Sequence, residues 1–459
     1  MNQLLVDSRM KTEKRVAIIG SGVSGLCAAK HCSAAGSGVT CVVYEQAAVI
    51  GGTWVYTDQT DVDNYGLPVH SSMYKNLRTN LPKEAMSFPD FPHAEGEVSY
   101  LPATGVLQYL NDYADKFHLK EIIKFQHHVK QIKPIENERW EVSVVDLKNN
   151  SETIQEFDAV MLCIGHNSKP RYPEIPGKDK FKGVQTHSHH YREPLPFQGK
   201  SVLVIGAGPS GLDLTCEVSN VAKKVYLSHH TDYAGNLKFS DNVELKPDVS
   251  SLTENTVIFN DATESDIDII LYCTGYVSSY PFLSKECGIV VVDNFEKPLY
   301  KHMINIEHPT MAIIGIPRHL PIFHLVDIQT QFFIKTVTGD IKLPSKDEML
   351  DELETYIAKK LNEGCRLRDL TALGKSMQTY YNDLANKAGV KNMSTLIVKM
   401  YFDAYERIFK DFLTFRNNCY KIVDNENFNV IDMRELNRKN FKCKCGNGCK
   451  PPTEIKAQI

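Results

Sequence analysis

Three observations predict an α/β chain with two Rossmann-like dinucleotide-binding domains, the smaller inserted in the larger. A turn of the form Gly-x-Gly-x-x-Gly occurs twice, at Gly20–Gly25 and Gly206–Gly211. Each copy follows an apolar run and precedes a helical one, the order a dinucleotide site requires. Proline-rich stretches at 169–196 and 309–321 flank the second copy, and such density breaks helices and favours extended connections. The expected domains are therefore 1–196 with 322–459, its C-terminal part helical, and 197–321.

In chain order, the first unit opens with Val16-Ala17-Ile18-Ile19, turns through Gly20-Ser21-Gly22-Val23-Ser24-Gly25, and continues as a helix with Leu26, Ala28 and Ala29. It closes on Cys41-Val42-Val43-Tyr44-Glu45, placing an acid 20 residues after the last glycine. The strand Phe157–Cys163, ending near Gly165, follows. The second unit repeats the grammar with Ser201–Ile205, Gly206-Ala207-Gly208-Pro209-Ser210-Gly211, a helix through Val218, and Lys224–Ser228. Asp268–Tyr276 is its later strand, with Gly275 at the turn. Ser345-Lys-Asp-Glu348 then reads as a capping box, and Met349, Leu350, Leu353, Ile357 and Leu361 fall at helical spacing after it.

The composition narrows the function classes. At 459 residues the chain has ample core. Its 52 basic and 56 acidic residues give a net charge of −4 without a basic block, which disfavours nucleic-acid binding. No apolar run approaches the ~20 residues that span a membrane. Leu4, Leu5 and Val6 make too short a patch for a signal-peptide core, so the chain reads as cytoplasmic, or as secreted had a leader been removed. A homodimer or higher homo-oligomer is the expected assembly.

No metal is expected. Most of the 12 cysteines sit in apolar runs, where a thiol is a small hydrophobe. Cys443, Cys445 and Cys449 are one ligand short of a closed zinc site. His187, His189 and His190 have no carboxylate or thiol at completing spacing.

The chemistry points to two coenzymes. In each glycine turn the first glycine permits the bend, the second lets backbone approach a pyrophosphate, and the third allows close helix packing. Glu45, with Gln46 beside it, ends its strand where a carboxylate accepts from ribose hydroxyls and repels a 2′-phosphate, as the ADP half of FAD requires. The second unit has Ser228-His229-His230 there, which tolerates the 2′-phosphate of NADPH. Gly51-Gly52-Thr53-Trp54 supplies close-approach glycines and a flat apolar ring.

These motifs resemble those of the flavin-containing monooxygenases from about Arg15 to Val390. The most specific is Phe181-Lys-Gly183-Val-Gln-Thr-His187-Ser-His-His-Tyr191, which fits the identifying pattern FxGxxxHxxx(F/Y). Leu77-Arg78-Thr79-Asn80-Leu-Pro82, Phe88-Pro-Asp90-Phe91-Pro92 and Cys273-Thr274-Gly275-Tyr276 support it. The resemblance implies that NADPH reduces FAD, that O₂ adds at flavin C4a, and that the hydroperoxide oxygenates a nucleophilic nitrogen or sulfur. It implies Asn80 as the catalytic side chain, Thr79, Val129 and Gln329 on the flavin side, and Thr274, Gly275 and Tyr276 with NADP. Similarity to short insect members implies tertiary-amine plant alkaloids, such as pyrrolizidine alkaloids, and a detoxifying role. Tyr191-Arg192 stands where ketone-oxygenating relatives carry Trp-Pro or Trp-Asp, which weighs against Baeyer–Villiger chemistry. The alternatives are that chemistry, an NADPH oxidase, and a flavoprotein that does not turn over.

Overall fold

The computed structural model describes residues 13–96, 98–230 and 237–440, so the tail cysteines lie outside the described residues. The chain gathers into two compact units of three stretches each. One holds the described residues up to Gly52, Leu110–Gly165 and Ser278–Asn392. The other holds Thr53–Tyr109, His166–Val277 and the described residues from Met393. These bounds differ from the division at 197 and 321 drawn from the proline-rich stretches, and strand pairing gives the reason.

In the first unit, Lys14–Ile19 is flanked in parallel by Val39–Glu45 and Ala159–Leu162, and Ile123–Phe125 extends one side. On the other side Met311–Ile313 pairs in parallel with Ala159–Leu162, and Ile304–Asn305 and Leu299–Tyr300 follow antiparallel. Residues 299–313, expected in the smaller domain, thus complete the first seven-stranded sheet. Val16 to Ile19 are all buried. Burial on both faces explains a continuous apolar run where a half-exposed strand would alternate. A separate antiparallel sheet, His127–Ile135, Arg139–Asp146 and Ser151–Phe157, contributes Trp140, Val142, Val144 and Phe157 to a core shared with Leu299, Met311 and Ile313.

Helix Val23–Cys32 packs on helix Ile322–Val337. Cys27, His31 and Asp327 bring ligand-type atoms within 4.8 Å there. His31 Nε2 lies 2.6 Å from Asp327 Oδ1, and Gln331 Nε2 donates to Oδ2 at 2.8 Å. The carboxylate is therefore engaged from both sides by helix side chains. The capping box forms as expected: Ser345 accepts from the Glu348 N–H while Glu348 accepts from the Ser345 N–H, and helix Lys346–Asn362 follows. Only Met349 and Leu353 of its apolar stripe are buried, and Leu361 is exposed.

The second unit carries a five-stranded parallel sheet ordered Val243–Lys246, Lys224–Ser228, Ser201–Ile205, Ile269–Tyr272, Val184–His187. Its edge strand comes from the proline-rich stretch 169–196. Lys169–Pro170 likewise pairs with Tyr276–Val277, so this unit begins well before residue 197. Among the described residues no helix is long and apolar enough to cross a membrane.

Candidate active site

The two glycine turns are built alike. Gly20 has φ +98° and Gly206 φ +103°, a left-handed region that side chains rarely adopt. A Cβ on Gly25 would lie 1.8 Å from the Gly20 carbonyl oxygen, and one on Gly211 would lie 1.8 Å from that of Gly206. Only hydrogen fits at these third positions. The strand ends behind them also match, since a Cβ on Gly20 or Gly206 would sit 2.6 or 2.7 Å from the Cys163 or Cys273 carbonyl oxygen. Burial pushes the Cys163 thiol well up and the Cys273 thiol to about 12, so both stay protonated.

Helix Val23–Cys32 starts at Gly22 and helix Pro209–Ser219 at Gly208; neither has a side-chain cap or an acid in its first turn. An uncapped N-terminus leaves amide N–H groups and the positive end of the helix dipole for an anion. That fits a pyrophosphate at both turns. The surroundings differ: a Cβ on Gly22 would meet the Gly52 Cα at 3.5 Å, whereas one on Gly208 would meet nothing within 4 Å among the described residues.

Glu45 has a task the sequence did not reveal. One carboxylate oxygen accepts from Ser21 N at 2.7 Å and Ser21 Oγ at 2.8 Å, and the other from Ala47 N at 2.7 Å. It therefore holds the first turn against the end of its strand. Gln46 Oε1 lies 3.2 Å from His128 Nδ1, which brings Val129, at a β-bulge, beside the same strand end. Gln329 is fully buried; Oε1 accepts from Gly315 N at 2.9 Å and Nε2 donates to Tyr380 Oη at 2.8 Å. A Cβ on Gly315 would lie 3.2 Å from Ser24 Oγ. Gln329 thus fixes the main chain beside the first turn, and Tyr380 passes the link to the Lys301 carbonyl at 2.8 Å. Neither Gly315 nor Tyr380 carried a signal in the sequence.

Thr53, Trp54, Thr79 and Asn80 belong to the second unit, and the other residues expected for FAD belong to the first. Trp54 is half-buried and Thr53 exposed; the Thr53 carbonyl accepts from Ser71 Oγ at 3.0 Å. Thr79 is buried, and its Oγ1 accepts from Leu101 N at 3.1 Å. Asn80 is exposed, with Oδ1 taken by Arg416.

All residues expected for NADP lie in the second unit. Ala207 is buried behind the turn, while Pro209 and Ser210 are exposed at its helix start. Ser228 Oγ donates to the Pro247 carbonyl at 2.9 Å and His229 N to that of Lys246 at 3.0 Å. His230 Nδ1 lies 3.1 Å from Asp248 Oδ1. Thr274 Oγ1 donates to the Arg171 carbonyl, Gly275 adopts φ +78°, and the half-buried Tyr276 pairs with Pro170.

The FxGxxxHxxxY pattern proves architectural. Phe181 enters the core of the second unit. A Cβ on Gly183 would lie 2.4 Å from the Asp268 carbonyl oxygen. Buried His187 accepts from His189 N at 3.0 Å, and burial lowers its pKa to about 4. Tyr191 donates to Glu217, on the second fingerprint helix, at 2.6 Å. The next residue, Arg192, donates to the carbonyls of Thr57, Gln59, Ser71, His189 and Tyr191 and so ties the 57–71 loop down.

Against known proteins, the family model described as flavin-binding monooxygenase-like matches residues 13–237 and 232–410. The chain is 32% identical to the senecionine N-oxygenase of Tyria jacobaeae over 92% of each chain. It is 33% identical to the flavin-containing monooxygenase FMO GS-OX4 of Arabidopsis thaliana, over 88% of this chain and 91% of that one. The solved S-allyl-L-cysteine S-oxygenase of Allium sativum superposes with a TM-score of 0.82 at 32% identity, covering 88% of this chain and 95% of that chain.

Proposed function

The chain belongs to the flavin-binding monooxygenase-like family, an FAD-dependent monooxygenase, and from that premise we propose that it uses NADPH and O₂ to oxygenate the nitrogen of small tertiary amines. Plant alkaloids of the pyrrolizidine type are the favoured substrates, and their detoxification the favoured role. The observation that carries the two-coenzyme reading is the pair of uncapped, acid-free helix starts behind twinned glycine turns. Similarity to an alkaloid N-oxygenase supports the choice of nitrogen. Sulfur is the second reading, supported by equal identity to a plant S-oxygenase.

In this reading the amides at Gly22–Gly25 hold the FAD pyrophosphate and those at Gly208–Gly211 that of NADPH. Glu45 keeps acceptor capacity for ribose hydroxyls beyond its three bonds to the chain. His229 receives the 2′-phosphate; the buried Ser228, expected to share that role, has its hydroxyl hydrogen committed to the Pro247 carbonyl. When bound and reduced, the flavin supplies oxygen in electrophilic form. The chain's own groups orient and shield: Asn80 offers its amide to the flavin and the nicotinamide ribose, and Trp54 offers an apolar face.

The test is to mix flavin-loaded protein with NADPH, O₂ and a panel of tertiary amines, thioethers and ketones, and to follow NADPH loss beside product. N-oxide stoichiometric with NADPH is expected. Sulfoxide alone selects the second reading, lactone or ester selects Baeyer–Villiger chemistry, and peroxide alone with every substrate overturns all three.

A further inference from the structure

Asn80 and Arg416 lie 336 positions apart and share one hydrogen-bonded cluster. Arg416 stands in the one-turn helix Phe415–Asn417, beyond residue 410, where the family match ends. Its Nη1 and Nη2 donate to the two Asp213 carboxylate oxygens at 2.8 and 2.9 Å. Nη2 also donates to Asn80 Oδ1 at 2.5 Å, and Nε to the Thr79 carbonyl at 3.1 Å. The Phe415 ring centre lies 4.6 Å from the guanidinium carbon, and Arg78 Nη2 donates to the Arg416 carbonyl at 3.1 Å. Asp213, on the second fingerprint helix, also accepts from Tyr74 Oη at 2.7 Å.

The Arg416 and Asp213 side chains are 18% and 14% exposed. Burial on its own would lower the Arg416 pKa, but the Asp213 carboxylate overrides it and raises the value. This bidentate fork is therefore a rigid part, unlike a solvent-averaged surface pair. A guanidinium carries donors only, so Asn80 must turn its oxygen to Arg416. Its NH₂ group is then left for other acceptors, on a residue that is exposed.

We propose that Arg416, braced by Asp213, is a positioning residue that locks the Asn80 amide in one orientation and presents its N–H groups as donors for oxygen transfer. The catalytic half of this rests on the role given to Asn80 above; the locking contact stands without it.

Arg416→Lys, Asn80→Ala and the double variant test both halves. In the apoprotein, melting-temperature losses of the single variants are expected not to add in the double, because one shared bond is counted twice. In flavin-loaded enzyme, Arg416→Lys is expected to raise peroxide released per product formed about tenfold, the scale of one charge-assisted hydrogen bond. NADPH oxidation without substrate should persist, and Arg416→Lys should add nothing in the Asn80→Ala background. Should Arg416→Lys fail to fold, Arg416→Gln with Asp213→Asn keeps the shape without the buried charges and is read in the same way. Additive melting losses overturn the contact, and parental coupling in Arg416→Lys overturns the positioning role. If the parent itself yields no coupled product while the melting losses remain non-additive, the monooxygenase reading fails and the locking contact is upheld.

Discussion

Replacing Gly208 with alanine separates coenzyme binding from folding. Its backbone, at φ −69° and ψ −178°, suits any L-residue. A Cβ there meets no atom of the described residues within 4 Å. The folded protein has no strain to bear, and the unfolded chain loses freedom, so stability should hold or rise by about 0.4–1 kcal/mol. The same methyl would stand where a pyrophosphate must approach the helix amides. Displacing it far enough to lose one charge-assisted bond costs about 1.5–3 kcal/mol, roughly ten- to a hundredfold in affinity. Flavin reduction at increasing NADPH concentration reads the affinity, and a melting curve reads the stability. Gly211→Ala is the contrasting control, because its Cβ would lie 1.8 Å from a carbonyl oxygen and must damage the fold itself. Parental NADPH affinity in Gly208→Ala would refute the assignment of this turn to the pyrophosphate. A lowered melting temperature would refute the reading of the turn as sterically open.

Glu45→Gln should weaken the first turn by about 1.5–3 kcal/mol, since its one amide oxygen can accept from Ser21 or from Ala47 while the NH₂ group accepts from neither; flavin release measured by gel filtration should quicken, and an unchanged rate would count against it. Burial lowers the His302 pKa from 6.5 to about 4. The unfolded chain then binds more protons between those values, and stability is lost as pH falls from about 6.5 towards 4, by about 1.4 kcal/mol per pH unit. Denaturant titrations of His302→Gln should show a shallower acid slope, and an identical slope would contradict the burial argument. Arg192→Lys cannot reach five carbonyls with three N–H donors, so it should cost about 1–3 kcal/mol; an unmoved urea midpoint would show the loop to be held by other contacts.

The glycine turns were legible because positive φ at Gly20 and Gly206 and a carbonyl oxygen against Gly25 and Gly211 leave no substitute for glycine, so local chemistry is written in the residue type. The capping box at Ser345 was legible for the same reason. The domain limits were not. Leu299–Tyr300 and Ile304–Asn305 are two-residue strands whose partners are chosen by tertiary pairing, and prolines mark where helices stop without marking which sheet a strand joins. Glu45 was placed rightly at its strand end, but its bonds to Ser21 and Ala47 depend on a turn geometry that spacing does not encode. Arg416 is one of 52 basic residues, far along the chain from Asn80 and outside the stretch that carried the resemblance.

The difference between Gly22 and Gly208 has a consequence for residence time. Twin turns ordinarily give twin grips, yet one has the main chain of Gly52 as a wall and the other has free space. On the assignment proposed above, a diphosphate at the first turn would have main chain beside it on that side, and one at the second turn none among the described residues. On that assignment, the same motif written twice would provide a lodging for a permanent prosthetic group and a berth for a reagent exchanged at every cycle.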